Sequence, residues 1–339
     1  MSIPPEVLFH RYFQELRPED RQNYKGKYDL DKLEPPEFQS LLVAIQEALN
    51  ETLNYEQPIP EHVAHPSFHF DYVDCPFPDA IAFRWKDYSF IGITVELIYQ
   101  LWETCVQMSE AQALASCLDV SLAADERDAL RVVLFRIQLF FVVTHEYTHH
   151  VHGHIKTISG ASTFSNENLN GSKTGNLERQ AREIDADAYA IYHVLTNLID
   201  GPARPSAIDF LKLHAEPASI QDEILFSCFV VAVGAFFFLR FPVAIDKASI
   251  YTLTHPPQAA RMNCVMQQAI RWCKQRRPGL EASMPFNRFE MLMNTMAEAT
   301  LKLNRGHDWT AQTEFLRSQD GIEYFLQLDK LFKTHVQSL

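Results

Sequence analysis

Apolar and polar residues alternate from residue 68, where Phe68, Phe70 and Tyr72 are separated by His69 and Asp71, and again in AIAFRW (80–85) and YSFIGI (88–93). A period of two is that of a half-buried strand, and the last two runs flank Lys86-Asp87 as a hairpin would. A small antiparallel sheet is therefore expected. Elsewhere the period is helical. Residues 36–53 form one amphipathic stretch inside a Pro-punctuated segment. Residues 125–143 begin with Asp125, Glu126 and Asp128, which suit a helix N-terminus, and then run apolar with isolated Arg131, Arg136 and Gln138. Residues 177–195 form another helix, and beyond Pro256 the chain reads as successive amphipathic helices, including 286–303 and 321–336. The pattern predicts an α+β, mostly helical fold, in three parts: a mostly helical segment 1–66, a core 67–261 and a helical region 262–339.

Two stretches break this rhythm. Residues 159–176 (SGASTFSNENLNGSKTGN) are rich in Ser, Asn and Gly and bury too little apolar surface to order themselves, so a flexible connection or a lid is expected there. Residues 224–245 (ILFSCFVVAVGAFFFLRFPVAI) are long enough to span a bilayer. Arg240 and Pro242 interrupt the run near its end and Gly234 allows close helix contact, so a buried central helix is the preferred reading.

At the end of the apolar run 125–143 stand His145, Glu146, Tyr147, Thr148 and His149, an HExxH pattern. On a helix, positions i and i+4 lie one above the other, so two imidazoles can face one metal ion with Glu146 beside them. The bland alternative is a pair of core histidines. A catalytic zinc keeps three protein ligands and one open position. A metzincin would need Gly at 152 and His at 155, whereas the chain has His152 and Ile155. On the helix 177–195, Glu183, Ala186, Asp187 and Ala190 share a face. Glu183 supplies a carboxylate there, Asp187 one turn later can fix an imidazole tautomer, and the alanines permit close approach. The alternative is an ordinary charged solvent face, and Asp185, pointing elsewhere, is expected to be solvated. His255 precedes two prolines and approaches a helix starting near Pro257, which by itself describes a capping or loop histidine. His150 and His152 have no assignment.

Three blocks together resemble a gluzincin metallopeptidase: HEYTHHVHGH (145–154), EIDADAYA (183–190) and THPPQAAR (254–261). They follow the HExxH, ExxAD, HPxxxxR order of the HtpX and CAAX-prenyl protease family and of the Lit-like phage-exclusion peptidases. Residues 79–97 are similar to the family's edge strand and following helix, although Asp79-Ala80-Ile81-Ala82-Phe83 stands where many relatives carry Asn-Ala-Phe. The resemblance implies a zincin-like core whose small sheet packs on the active-site helix. It implies zinc held by His145, His149 and Glu183, with Glu146 as general base and Asp187 behind the ligands. His255 would lie near the metal as an oxyanion stabiliser or guard of the open site, Arg261 would hold the local fold, and His154 would pack or back up a ligand. It also implies a regulated bacterial, antiviral protease acting on a protein or peptide, such as a specific cellular protein or a regulator encoded nearby. The rival expectations are a catalytically silent zinc scaffold and a membrane-integrated HtpX-like protease.

A net charge of −13 over 339 residues disfavours nucleic acid and anionic membrane surfaces as partners. The run Lys274, Arg276, Arg277 suits a helix C-terminus better than a binding patch. Six cysteines without a CxxC pair argue against a disulfide framework. The N-terminus lacks the basic and apolar regions of a secretory signal, so a cytoplasmic setting is expected.

Overall fold

The structure, a computed structural model, describes residues 3–54, 67–118, 124–155, 173–239, 245–283, 286–300 and 309–337. In order, the helices are α1 (Pro5–Gln14), α2 (Pro18–Arg21), α3 (Pro36–Asn54), α4 (Val95–Glu110), α5 (Gln112–Cys117), α6 (Ala124–Val151) and α7 (Lys173–Leu195). There follow α8 (Ala203–Phe210), α9 (Ala218–Leu239), α10 (Gln258–Arg276), α11 (Pro278–Ser283), α12 (Phe286–Thr300), α13 (Trp309–Arg317) and α14 (Gln319–Gln337). The strands are β1 (Gly26–Lys27), β2 (Ser67–Asp74), β3 (Ala80–Trp85) and β4 (Tyr88–Thr94). The chain is thus α+β and mostly helical. Contacts divide it into Met1–Gln100 with Glu146–Leu169, and Leu101–His145 with Asn170–Leu339. The division falls inside α4 and inside α6.

In the first unit the sheet order is β1-β2-β4-β3. The hairpin β3–β4 forms as its alternation predicts, but the sheet is mixed, because β2 and β4 pair in parallel from Ser67↔Tyr88 to Val73↔Thr94. The expectation of an antiparallel sheet fails because β3 is the outer strand. The chain passes over to the edge and returns beside β2 in β2's own direction, a choice that alternation within each strand does not encode. Phe9, Tyr12 and Phe13 of α1 pack on Val73, Phe83 and Phe90 in an aromatic core, with Tyr12 stacked on Phe83 at 3.9 Å.

On the other side of β2, where β1 covers only two residues, α3 stands in for a strand. Asn50 and Asn54 each accept from a strand N–H and donate to the same residue's carbonyl, at Phe70 and Phe68 respectively. Four helical residues rise about 6 Å and two strand residues about 6.6 Å, so side-chain amides at i and i+4 match the ladder spacing. Gln46, a turn earlier, donates to Asp71 and Leu42 accepts from Tyr72. The final turn of α6 belongs to this unit and lies on the sheet: Tyr147 meets Phe68, and His150 Nε2 is 3.0 Å from the Phe90 carbonyl.

In the second unit α9 is apolar from Ile224 onward and long enough to cross a membrane, and its residues 224–238 are buried in the protein. That agrees with a central core helix. Gln138 of α6 donates to the Ala232 carbonyl, and Gly234 leaves room for Met293 and Met296 of α12, which a Cβ would meet at about 3 Å. Of the methionines of α10 and α12, Met266 is buried, Met262 and Met293 are half-buried and Met291 is exposed. Helix α12 turns Met296 inward instead. A second apolar cluster joins Leu177, Ala181 and Ile184 of α7 to Ile250, Ala260, Tyr324 and Leu328. The four residues 173–176 of the expected flexible stretch open α7, and the rest of it lies outside the described residues, as do Arg240 and Pro242. All six cysteines are free thiols.

Candidate active site

The site grows from the end of α6. Helix α6 stops in a Schellman turn: Gly153, at φ +67°, donates to the His150 carbonyl, and His154 N donates back to the His149 carbonyl. A Cβ at Gly153 would meet nothing within 4 Å, so the glycine serves the left-handed backbone and not a close approach. The turn folds His154 beneath the helix, where its Nδ1 lies 3.1 Å from Nδ1 of His149. One His149 nitrogen is thereby engaged from behind, and Nε2 remains on the other side of the ring. Arg84 of β3 donates to the His150 carbonyl, placing a cation at the negative end of α6.

His150, left unassigned from sequence, is an anchor. Burial pushes its imidazole down to about 3, with the nearby Arg84 charge adding to this against the bond it makes to the Phe90 carbonyl. It stays neutral and ties α6 to β4. Sequence offered no signal for this, since the acceptor is a backbone carbonyl 60 residues away.

Helix α7 presents Glu183 and Asp187 one turn apart. Glu183 Oε2 is 3.3 Å from His145 Nε2, and Asp187 Oδ1 is 2.9 Å from His145 Nδ1, a short contact that is not linear. Arg261 of α10 grips Asp187 with both ends of its guanidinium, at 2.8 and 2.7 Å, and lies over the Phe237 ring of α9. Arg261 and Asp187 are both buried. Burial opposes charge on Asp187, but Arg261 and then His145 hold its carboxyl below the usual range. Burial likewise opposes charge on His145, yet Asp187 and Glu183 outweigh it and push the metal-free imidazole up to about 9.

His255 arrives from the segment before α10. Its Nε2 is 3.5 Å from Glu183 Oε2, its Nδ1 is 3.0 Å from the Thr254 hydroxyl, and its side chain is 42% exposed. Glu183 Oε2 therefore lies within 3.5 Å of an imidazole on α6 and another before α10. Because α6 is one unbroken helix here, His149 lies one turn beyond His145 on the same side. Two imidazole nitrogens and a carboxylate oxygen make a donor set suited to zinc. Glu146 is half-buried beside His145.

Within the second unit, His145, Glu183, Asp187, Arg261 and His255 are brought together. The correction concerns Asp185, expected in solvent: it is 3% exposed. Helix α7 is enclosed round most of its girth, with Gln180, Ala181, Ile184 and Ala186 buried as well, so a polar position off the motif face gains no access to water.

The peptidase U49 family matches residues 90–270, more than half of the chain, and the chain belongs to that family. It is a peptidase by that membership. No curated protein and no solved structure matches it.

Proposed function

We propose that the protein is a zinc-dependent endopeptidase of the gluzincin type, with a zincin-like core. The observation that carries the reading is the buried chain Arg261–Asp187–His145–Glu183, in which each ionisable group is oriented by the next and the last two offer ligand atoms on one side. His145, His149 and Glu183 would hold the metal, Asp187 and His154 would fix the imidazoles from behind, and Arg261 would keep Asp187 ionised. When bound, zinc acidifies a water and polarises the scissile carbonyl. Glu146 takes the proton from the attacking water and hands it to the leaving amine. His255 donates from Nε2 to the oxygen that gains charge at the carbonyl.

A scaffold with a closed metal site is the weaker reading, because His154, the candidate fourth ligand, faces the back of His149 through its Nδ1. On the resemblance to Lit-like peptidases, the setting is the cytoplasm of a bacterium and the role antiviral. The substrate would then be a specific cellular protein or a regulator encoded nearby, with neither nucleic acid nor membrane as partner. Metal analysis of the purified protein and of Glu183→Gln, with mass spectrometry of new peptide termini in a bacterial lysate, tests the reading. Stoichiometric zinc lost in the variant and termini absent with Glu146→Gln are expected. Full cleavage by metal-free protein would sink it.

A further inference from the structure

The segment that delivers His255 is held by α7 and α14. Gln180, fully buried on α7 and one helical turn before Glu183, donates both amide hydrogens to carbonyls of this segment: Ile250 at 2.9 Å and Leu253 at 2.8 Å. Asn176, a further turn back, reaches the carbonyls of Tyr251 and Thr252 at 3.2 Å. The Gln180 amide is oriented in turn. The Tyr324 hydroxyl of α14, also fully buried, donates to its Oε1 at 2.6 Å. Two carbonyls on one side require the NH2 there, and a hydroxyl donor on the other side requires the oxygen there, so the three partners permit only one flip state. Lys247, at the segment's start, pairs with Asp320 at 2.6 Å, a second tie to α14.

We propose that Tyr324 and Gln180 are positioning residues for His255: the C-terminal helix α14, through Gln180, sets where this histidine stands relative to Glu183. Tyr324 lies beyond the residues matched by the family, so α14 supplies to the site something the family-matched region does not contain. His255 is 42% exposed at its side chain and follows directly on the carbonyls of Ile250 to Leu253 that α7 holds, so the placement of that backbone carries over to its imidazole. Loss of the Tyr324 hydroxyl leaves a buried carbonyl oxygen without its donor and frees the amide to turn. His255 then samples positions from which it no longer meets an oxygen at the metal.

This rests on the metallopeptidase reading, and the test separates the two. Cobalt-loaded protein is titrated with acetohydroxamate, whose anionic oxygen stands in for the one formed at the carbonyl, and binding is followed in the cobalt visible spectrum. Wild type, Tyr324→Phe, Gln180→Met, His255→Ala and the double variant Tyr324→Phe/His255→Ala are compared. Tyr324→Phe and Gln180→Met are expected to weaken binding by about tenfold, the size of losing one hydrogen bond from a well-placed His255 to the hydroxamate oxygen. The double variant should bind no more weakly than His255→Ala, and the cobalt spectrum without hydroxamate should be unchanged. In metal-free protein, hydrogen exchange of residues 249–255 should quicken in Tyr324→Phe while that of α9 does not. A wild type that takes up no cobalt removes the metallopeptidase reading and this proposal with it. Cobalt and hydroxamate binding as expected, but with Tyr324→Phe at wild-type affinity, with additive losses in the double variant, or with His255→Ala unaffected, overturns this proposal alone.

Discussion

Replacing Arg261 by Met tests the buried chain at its root. The guanidinium makes two bonds to Asp187, at 2.7 and 2.8 Å, with side-chain exposures of 4% and 1% for the pair. Methionine keeps the aliphatic stem and much of the contact with Phe237 but strands a buried carboxylate, which costs about 3–5 kcal/mol. In metal-free protein at neutral pH, His145 is protonated and lies 2.9 Å from Asp187, so part of that cost is offset and about 3 kcal/mol is expected. For a cooperative unit of this size that is a fall in melting temperature of roughly 6–12 °C. Zinc affinity should fall about 10–100-fold, because Asp187 no longer holds the His145 ring in place. Calorimetry and competition with a chromogenic chelator measure the two losses. Arg271→Met, at an exposed position of the same helix, is the control. Adding Asp187→Leu should restore most of the stability, since both buried charges are then gone, but none of the zinc affinity. Equal melting temperatures for Arg261→Met and Arg271→Met, or a double variant that regains zinc affinity, would refute the argument.

Other predictions follow from the same geometry. Glu146→Gln should retain zinc and lose cleavage, and His149→Ala should lose both, as read by metal content and by termini released in a lysate. Gly153→Ala forces a Cβ into the left-handed region, so stability should fall by about 1–2 kcal/mol; zinc affinity should drop as His154 moves from His149, and Gly153→Asn should be milder in both assays. His145 titrates near 9 in metal-free protein against an ordinary 6.5, so its contribution to stability is complete below 6.5 and is lost as pH rises through 9, on the order of 3 kcal/mol in all. Chemical denaturation of metal-free protein should show that decline, and zinc binding at pH 7.5 should release a proton, detected by calorimetry in buffers of different ionisation enthalpy.

Much of the site was legible because helices write themselves locally. His145 and His149 share a face through i, i+4 spacing, and Glu183 with Asp187 do the same, so each half could be recognised without knowing how α6 and α7 meet. What escaped were polar groups whose partners are far along the chain. Gln180 and Tyr324 are 144 residues apart, and neither residue type announces a bond to the other. Asn50 fell among the polar positions of the amphipathic stretch 36–53, yet with Asn54, just beyond it, it completes the ladder of β2.

Local periodicity was enough for the main helices and strands, their apolar faces and the chemical types offered at each turn, since these depend on periods of two and 3.6 along a single segment. Tertiary structure alone decided that β2 and β4 run parallel, that Asp185 is buried, that His150 is an anchor, and that α14 reaches back to the segment carrying His255. Those outcomes turn on which surfaces meet, a property of pairs of elements that no local pattern contains.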